Sequence, residues 1–208
     1  MNESSLLKGI ASGNQTAFRQ LYQLYSDKVY NTVLSYTQNV EDAEEILQDV
    51  FISIFDTAAK FQYNSTINTW IYRIAVNKSL DFLRKKNSAK RKGIFLSLYK
   101  KDSQEIKYDS TDFIHPGVRL ENQENAATLF KVIKKLPDNQ KTAFILTHIE
   151  DLSQQETADV MKITRKAVES LIQRAKANLK KDLEKYFPER GTQQLNTSKE
   201  TWTTGKRT

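Results

Sequence analysis

Residues 136–183 read LPDNQKTAFILTHIEDLSQQETADVMKITRKAVESLIQRAKANLKKDL, and this stretch decides the fold of the second half of the chain. Ser153-Gln154-Gln155-Glu156 has the form of a capping box, in which the Ser hydroxyl accepts from the Glu amide and the Glu carboxylate accepts from the Ser amide. A short helix follows through Glu156, Thr157, Ala158, Asp159 and Val160. Met161-Lys162-Ile163 then reads as a tight turn, and Thr164 can cap the next helix. That helix carries Val168, Leu171, Ile172, Ala175 and Leu179 on one face. Small Ala158 stands where two crossing helices need close approach. Together these features predict a helix-turn-helix.

The other face of the second helix presents Arg165, Lys166, Glu169, Ser170, Gln173 and Arg174, with Lys176 and Lys180 further along. A run of charges is usually just a solvated helix face. Here it follows a capped short helix and a tight turn at the spacing of a DNA reader. Its side-chain types suit guanine, adenine and cytosine edges as well as phosphates.

Upstream, Leu129, Val132, Ile133 and Leu136 keep helical spacing until Pro137 breaks it. Between about Ser97 and Asn125 the periodicity fades. Asp102, Glu105, Asp109, Asp112, Glu121 and Glu124 gather there around Pro116-Gly117, which predicts a flexible acidic linker. The first half is helical again. One stripe is Phe18, Leu21, Tyr22, Tyr25, Val29, Tyr30 and Val33. A second is Ala43, Ile46, Leu47, Val50, Phe51, Ile54 and Phe55. A third is Trp70, Ile71, Ile74, Ala75, Leu80 and Leu83. Strand-like alternation is absent, so a helical bundle is expected over about residues 4–90. The fold class is therefore all-α: two small helical domains joined by the linker, the second containing the helix-turn-helix. The boundaries are 1–94, linker 95–126, 127–187, and a tail 188–208 rich in Thr, Gln, Asn, Ser and Lys that is expected to be disordered.

The whole chain fits this division. It has 208 residues, 38% hydrophobic and 27% charged, in the range of globular domains. Thirty-two Lys plus Arg stand against 25 Asp plus Glu, a net charge of +7 and a pI near 9.4. That balance suits a polyanionic partner, although it also serves solubility alone. No cysteine occurs, which removes disulfides, thiolate metal sites and a cysteine nucleophile. The N-terminus lacks the apolar core of a signal peptide, and no run approaches a membrane span, so a cytoplasmic protein without membrane insertion is expected. The two histidines, His115 and His148, lie apart. With no Gly-rich phosphate loop and no metal-ligand cluster, neither an enzyme nor a cofactor is expected.

Two constellations mark the first half. Glu41, Asp42, Glu44, Glu45 and Asp49 crowd one amphipathic segment. Asp42, Glu45 and Asp49 share a side opposite the apolar stripe. Acids at a helix start favour the macrodipole, but five exceed what capping requires and suggest a basic protein partner. Beyond them, Phe61-Gln62-Tyr63-Asn64-Ser65 forms a polar and aromatic loop candidate. Asn68 to Lys78 and then Arg84-Lys85-Lys86 interleave aromatics, amides and cations, which suits single-stranded DNA because bases stack on rings and phosphates meet cations. The competing reading is that Trp70 and Tyr72 are core residues, and for Trp70 a core position fits at least as well.

Asp42-Ala43-Glu44-Glu45-Ile46-Leu47-Gln48-Asp49-Val50-Phe51, Thr69-Trp70-Ile71-Tyr72-Arg73-Ile74-Ala75-Val76-Asn77, and Leu136-Pro137 through Leu152-Ser153-Gln154-Gln155-Glu156-Thr157-Ala158 lie in this order along the chain. In these three motifs the sequence resembles the sigma-70 family of RNA polymerase specificity subunits, in its short extracytoplasmic-function (ECF) branch, over about residues 5–186. The resemblance implies that Asp42, Glu45, Gln48 and Asp49 grip the clamp helices of the largest subunit of core RNA polymerase. It implies that Phe61 and Asn77 form a pocket for a flipped-out base, and that Asn64 and Ser65 lie on the specificity loop of a −10 reader. Asn68, Arg73, Lys78, Arg84 and Lys85 complete that −10 set. The helix-turn-helix then reads a −35 element, the acidic linker threads polymerase channels that normally hold RNA, and an anti-sigma factor is a further expected partner. Three residues stand where the family usually has glycine: Lys162 in the turn, Tyr63 in the loop and Asp151 before Leu152-Ser153. A left-handed conformation at Lys162 costs about 1 kcal/mol. The competing expectation is a stand-alone helix-turn-helix regulator with an unrelated sensor domain, which requires neither the acidic helix nor the aromatic-basic stretch.

Overall fold

A computed structural model of the chain describes residues 3–99 and 123–187. The expectations for the middle of the acidic linker, for His115 and for the tail 188–208 lie outside the described residues. Among the described residues there are eight α-helices and no strand, in agreement with the all-α expectation.

The first unit is built from α1 (Glu3–Ala11), α2 (Gln15–Thr37), α3 (Val40–Thr57), a 3-10 turn (Ala58–Lys60) and α4 (Ile67–Tyr99). Side-chain amides set its helix starts. Asn14 Oδ1 accepts from the Thr16 and Ala17 amides at 2.9 and 3.1 Å, and Asn39 Oδ1 accepts from the Asp42 amide at 2.7 Å. Each satisfies donors that the first helical turn leaves unpaired. Gln38 adopts φ 51 and closes α2 through its amide on the Leu34 carbonyl. Gly9 lets α1 lie on α2, since a Cβ there would meet the Ala17 Cβ at 2.8 Å. Leu6, Leu7, Leu21, Val29, Val33, Ile46, Val50, Ile54 and Ile71 form the centre of one core. Two members of the predicted stripes differ: Tyr22 and Phe55 are exposed, as is Ile52.

The second unit comprises α5 (Gln123–Ile133), α6 (Asp138–His148), α7 (Gln154–Met161) and α8 (Arg165–Leu183). Helix α4 runs on to Tyr99 and α5 starts at Gln123, so helical structure enters the 95–126 segment from both sides. The second core does not stop at the unit boundary. Tyr36 from α2 and Tyr72 and Val76 from α4 are buried together with Phe130, Phe144, Leu146, Val160 and Leu179. The units are thus docked on one another, with α4 against α7 and α2 against α6.

Candidate nucleic-acid interface

The helix-turn-helix forms as its local chemistry dictates. Glu156 Oε2 accepts from the Ser153 amide at 2.9 Å and from the Ser153 hydroxyl at 2.7 Å, while the Glu156 amide approaches Ser153 Oγ at 3.2 Å. The Ser153 hydroxyl and amide hold the Glu156 carboxyl below the usual carboxylate range. Thr164 Oγ1 accepts from the Ala167 amide at 3.2 Å and starts α8. Between the helices Lys162 adopts φ 56 and ψ 43 and satisfies the Ala158 carbonyl through its amide. Ala158 is 1% exposed, as close helix crossing demands. Val168, Ile172, Ala175 and Leu179 are buried and Leu171 is partly so, which leaves Arg165, Lys166, Glu169, Gln173 and Arg174 exposed on one helix, with Ser170 half-buried among them. Arg165 Nε also touches Gln154 Oε1 at 3.4 Å, linking the starts of α7 and α8.

In the first unit the 61–68 loop carries an aromatic cluster. The Phe61 ring lies 4.8 Å from Tyr63, edge-on, and 5.0 Å from Trp70. Tyr63 takes φ 56, and its hydroxyl reaches the Ser4 carbonyl of α1 at 3.4 Å. Asn64 is exposed and donates to Gln62 Oε1 at 3.2 Å; Ser65 is half-buried. Asn68 Oδ1 is buried without a hydrogen bond. Trp70 packs on the first core while half-buried, and Tyr72 belongs to the second core, so each is a packing residue here.

The remaining −10 candidates are strung along α4. Asn77 and Lys85 are exposed, and Lys78 Nζ lies 3.8 Å from Asp49. Arg84 pairs with Asp81 at 3.2 Å and reaches Asp138 of α6 at 3.7 Å. Arg73 does not point into solvent: it donates to the Asp159 and Val160 carbonyls of α7 at 2.6 and 3.3 Å. Arg73 and Asn77 line a shallow groove whose far wall is Val160, Met161 and Lys162.

On α3 the acidic set divides. Asp42 is ion-paired with Lys86 and mostly covered, whereas Glu45, Gln48 and Asp49 are exposed. Sequence reasoning missed the Asp42–Lys86 pair, whose members lie 44 positions apart. Nor did it single out Glu150, which sits at the contact between the units. No group of three or more potential metal ligands is found among the described residues, and no helix there is long and apolar enough to cross a membrane.

Comparison with known proteins agrees with this architecture. The chain matches the family Sigma-70 region 2 over residues 21–89 and Sigma-70, region 4 over residues 127–179. It is 30% identical over 180 residues to the ECF RNA polymerase sigma factor SigW of Bacillus subtilis, covering 85% of this chain and 94% of that protein. It is 26% identical to the RNA polymerase sigma-H factor of Pseudomonas aeruginosa, covering 88% and 94%. Among solved structures, CnrH in complex with the cytosolic domain of CnrY is similar, with a TM-score of 0.62 at 25% identity, covering 88% of this chain and 97% of that one. The sigma factor RpoE of Bartonella quintana, solved with the anti-sigma factor NepR, shares the fold at a TM-score of 0.58 and 21% identity, covering 80% and 96%. Two family regions in the right order and a relative matched along nearly its whole length set aside the stand-alone regulator: the chain belongs to the ECF branch of the sigma-70 family and is a promoter-specificity subunit of RNA polymerase.

Proposed function

We propose that the work is divided between the units as follows. Residues 1–94 bind core RNA polymerase and read the −10 element, 95–126 connect, 127–187 read the −35 element, and 188–208 form a tail outside both. The observation that carries the polymerase contact is the outer face of α3. Glu45, Gln48 and Asp49 are exposed there, and Ile52 and Phe55, also exposed, extend the face toward Tyr22 of α2, whose ring is 4.6 Å from Phe51. An acidic row beside an apolar patch suits a basic helical partner, with the apolar part supplying area and the acids supplying orientation. The clamp helices of the polymerase largest subunit are that partner. Asp42 contributes by tying α3 to α4 through Lys86.

For the −10 element, Phe61 and Asn77 take a flipped-out base, with Asn64, Ser65 and Asn68 setting preference along the loop. Arg73, Lys78, Arg84 and Lys85 hold the strand backbone. Capturing an unstacked base offsets an unstacking cost of a few kcal/mol and so favours melting. Arg165, Lys166, Glu169, Ser170, Gln173 and Arg174 enter the major groove at the −35 element. The chain acts in the cytoplasm without catalysing a reaction itself; nucleotide polymerisation belongs to the polymerase. CnrH was solved with the cytosolic domain of CnrY and RpoE with the anti-sigma factor NepR, which supports an anti-sigma factor as a partner here too.

The test is in vitro transcription by purified bacterial core polymerase on a fragment library of bacterial DNA. Transcripts that start at discrete sites only when the chain is added, and that are lost with Asn77→Ala, support the division of roles. Discrete starts with unchanged strength in the Asn77→Ala and Phe61→Ala variants remove these residues from −10 recognition.

A further inference from the structure

Among the described residues, the non-glycine positions with positive φ are Gln38, Tyr63, Asp151 and Lys162. Three of these carry polar side chains and one, Tyr63 at φ 56, carries a ring. A bulky residue in left-handed backbone is strained. Gln38 and Lys162 close helices through their amides, on the Leu34 and Ala158 carbonyls. Tyr63 closes no helix and stands between the 3-10 turn and α4. Strain of this kind persists only where the surroundings hold it, and it gathers at sites that use it.

Packing accounts for part of this conformation. The Tyr63 ring meets the Phe61 ring edge-on at 4.8 Å, and Phe61 in turn lies 5.0 Å from Trp70. The Tyr63 hydroxyl reaches the Ser4 carbonyl at 3.4 Å, which is long for an O–H donor, so it steers the ring more than it anchors it. Packing does not account for the exposure. Tyr63 stays 46% exposed, whereas Phe61 and Trp70 are half-buried. It is the outermost of three rings in contact. The 4.8 Å separation from Phe61 leaves no gap for a planar group between the two rings, so a ligand must lie on the outer side of Tyr63. The surroundings suit a nucleotide there. Residues 60–69 read KFQYNSTINT, with one base and no acid, so nothing in this stretch repels a phosphate. Lys60, Gln62 and Asn64 are exposed with the ring. An exposed aromatic among amides and a cation can stack a base and meet its phosphate.

The geometry points to Tyr63 as a stacking plate for a second nucleotide of the −10 strand, next to the base taken by Phe61 and Asn77. This rests on the reading of the 61–68 loop as part of the −10 reader. A glycine at this position has no ring to offer, so the contact is an addition made by this chain. Every base has a π-face, so stacking on Tyr63 is tolerant of sequence. It strengthens capture of the unpaired strand without narrowing the preference at the stacked position. The strained backbone is what turns the ring outward from the Phe61–Trp70 pair, and the Phe61 contact holds it there.

The test uses the full chain with purified core polymerase on a promoter recovered from bacterial DNA fragments. Its non-template strand carries 2-aminopurine at one −10 position at a time, a base whose fluorescence is low when stacked and high when free. In open complexes of the parent, a position adjoining the flipped base should stay dim, and Tyr63→Leu should brighten it. Leucine keeps side-chain bulk and the backbone demand but has no π-face. Tyr63→Leu should also lower the yield of open complexes at limiting polymerase roughly fivefold or more, the loss of one base–aromatic stack. That factor should be similar for all four bases at the stacked position. Tyr63→Phe should restore both the dim signal and the yield. Both substitutions change an exposed side chain, so the variants should fold as the parent does. Parent-like yield and fluorescence in Tyr63→Leu overturn the proposal. So does a gain in yield, which makes the ring a cover over Phe61, or a loss confined to one base, or a Tyr63→Phe variant as impaired as Tyr63→Leu. If Phe61→Ala and Asn77→Ala lose yield while Tyr63→Leu does not, the stacking role alone fails. If all three match the parent, the reading of the loop as a −10 reader fails with it.

Discussion

Arg73 of α4 and Asp159 of α7 are joined by a 2.6 Å hydrogen bond from guanidinium to main-chain carbonyl, with the Val160 carbonyl 3.3 Å from Nε. The last carbonyls of a helix have no partner within it, and a cation there also meets the negative end of the helix dipole. Removing this group by Arg73→Ala should cost the contact between the units about 1 kcal/mol. Hydrogen exchange should show faster exchange confined to α7 and the facing part of α4, with the α1–α3 core unchanged. Unaltered exchange in α7 contradicts a stabilising role for the pair.

The capping box offers a second test. Ser153→Ala removes the acceptor of the Glu156 amide and should lower stability by about 1 kcal/mol, seen as a lower denaturation midpoint of the helix-turn-helix unit with unchanged slope. The Glu156 carboxyl is held below the usual range by Ser153. This contribution is complete above the ordinary carboxylate range and is lost as pH falls through the lowered value. Ser153→Ala should therefore shrink the acid-side loss of stability as well as the midpoint.

Lys162 occupies left-handed backbone at φ 56 between α7 and α8. Lys162→Gly should raise stability by about 0.5–1 kcal/mol, because the strain removed exceeds the extra freedom given to the unfolded chain. Thermal unfolding measures this. A fall in the midpoint shows that the Lys162 side chain holds the turn by a contact worth more than the strain.

Arg165→Ala and Lys166→Ala separate two kinds of DNA contact. A base-reading side chain costs roughly 1–3 kcal/mol on removal and relaxes preference at one position, whereas a phosphate contact weakens every sequence alike and lowers the salt slope by about one. Transcription across a library randomised at the −35 element should give the first pattern for at least one of the two. Uniform loss for both places base reading further along α8, at Glu169, Gln173 or Arg174.

Much of this was legible because its causes are local. Ser153, Glu156 and Thr164 act on amides within three residues, and the apolar spacing of α3 and α8 shows directly which face each buries. The three positions lacking the family's glycine, Tyr63, Asp151 and Lys162, all take φ between 53 and 56, so the backbone demand persists where the residue changed. The contact between the units was not legible. Tyr36 meets Thr142 across 106 positions, and spacing that allows Tyr72 a core position does not say which core, because periodicity cannot tell a face that meets its own bundle from one that meets a second domain. Arg73 was read as a DNA contact from its charge, and nothing nearby in sequence marks the α7 carbonyls as its acceptors. Asp42 shows the same limit: it belongs to the acidic row by spacing, and its cation, Lys86, comes from another helix.

The most direct test of the account is a pull-down with purified bacterial core RNA polymerase, comparing the parent chain with a Glu45→Ala/Gln48→Ala/Asp49→Ala variant. These three side chains are exposed on α3, so the variant should remain folded. Stoichiometric binding by the parent and its loss in the variant is the predicted result. A folded parent, free of bound regulators, that does not retain the polymerase contradicts the account.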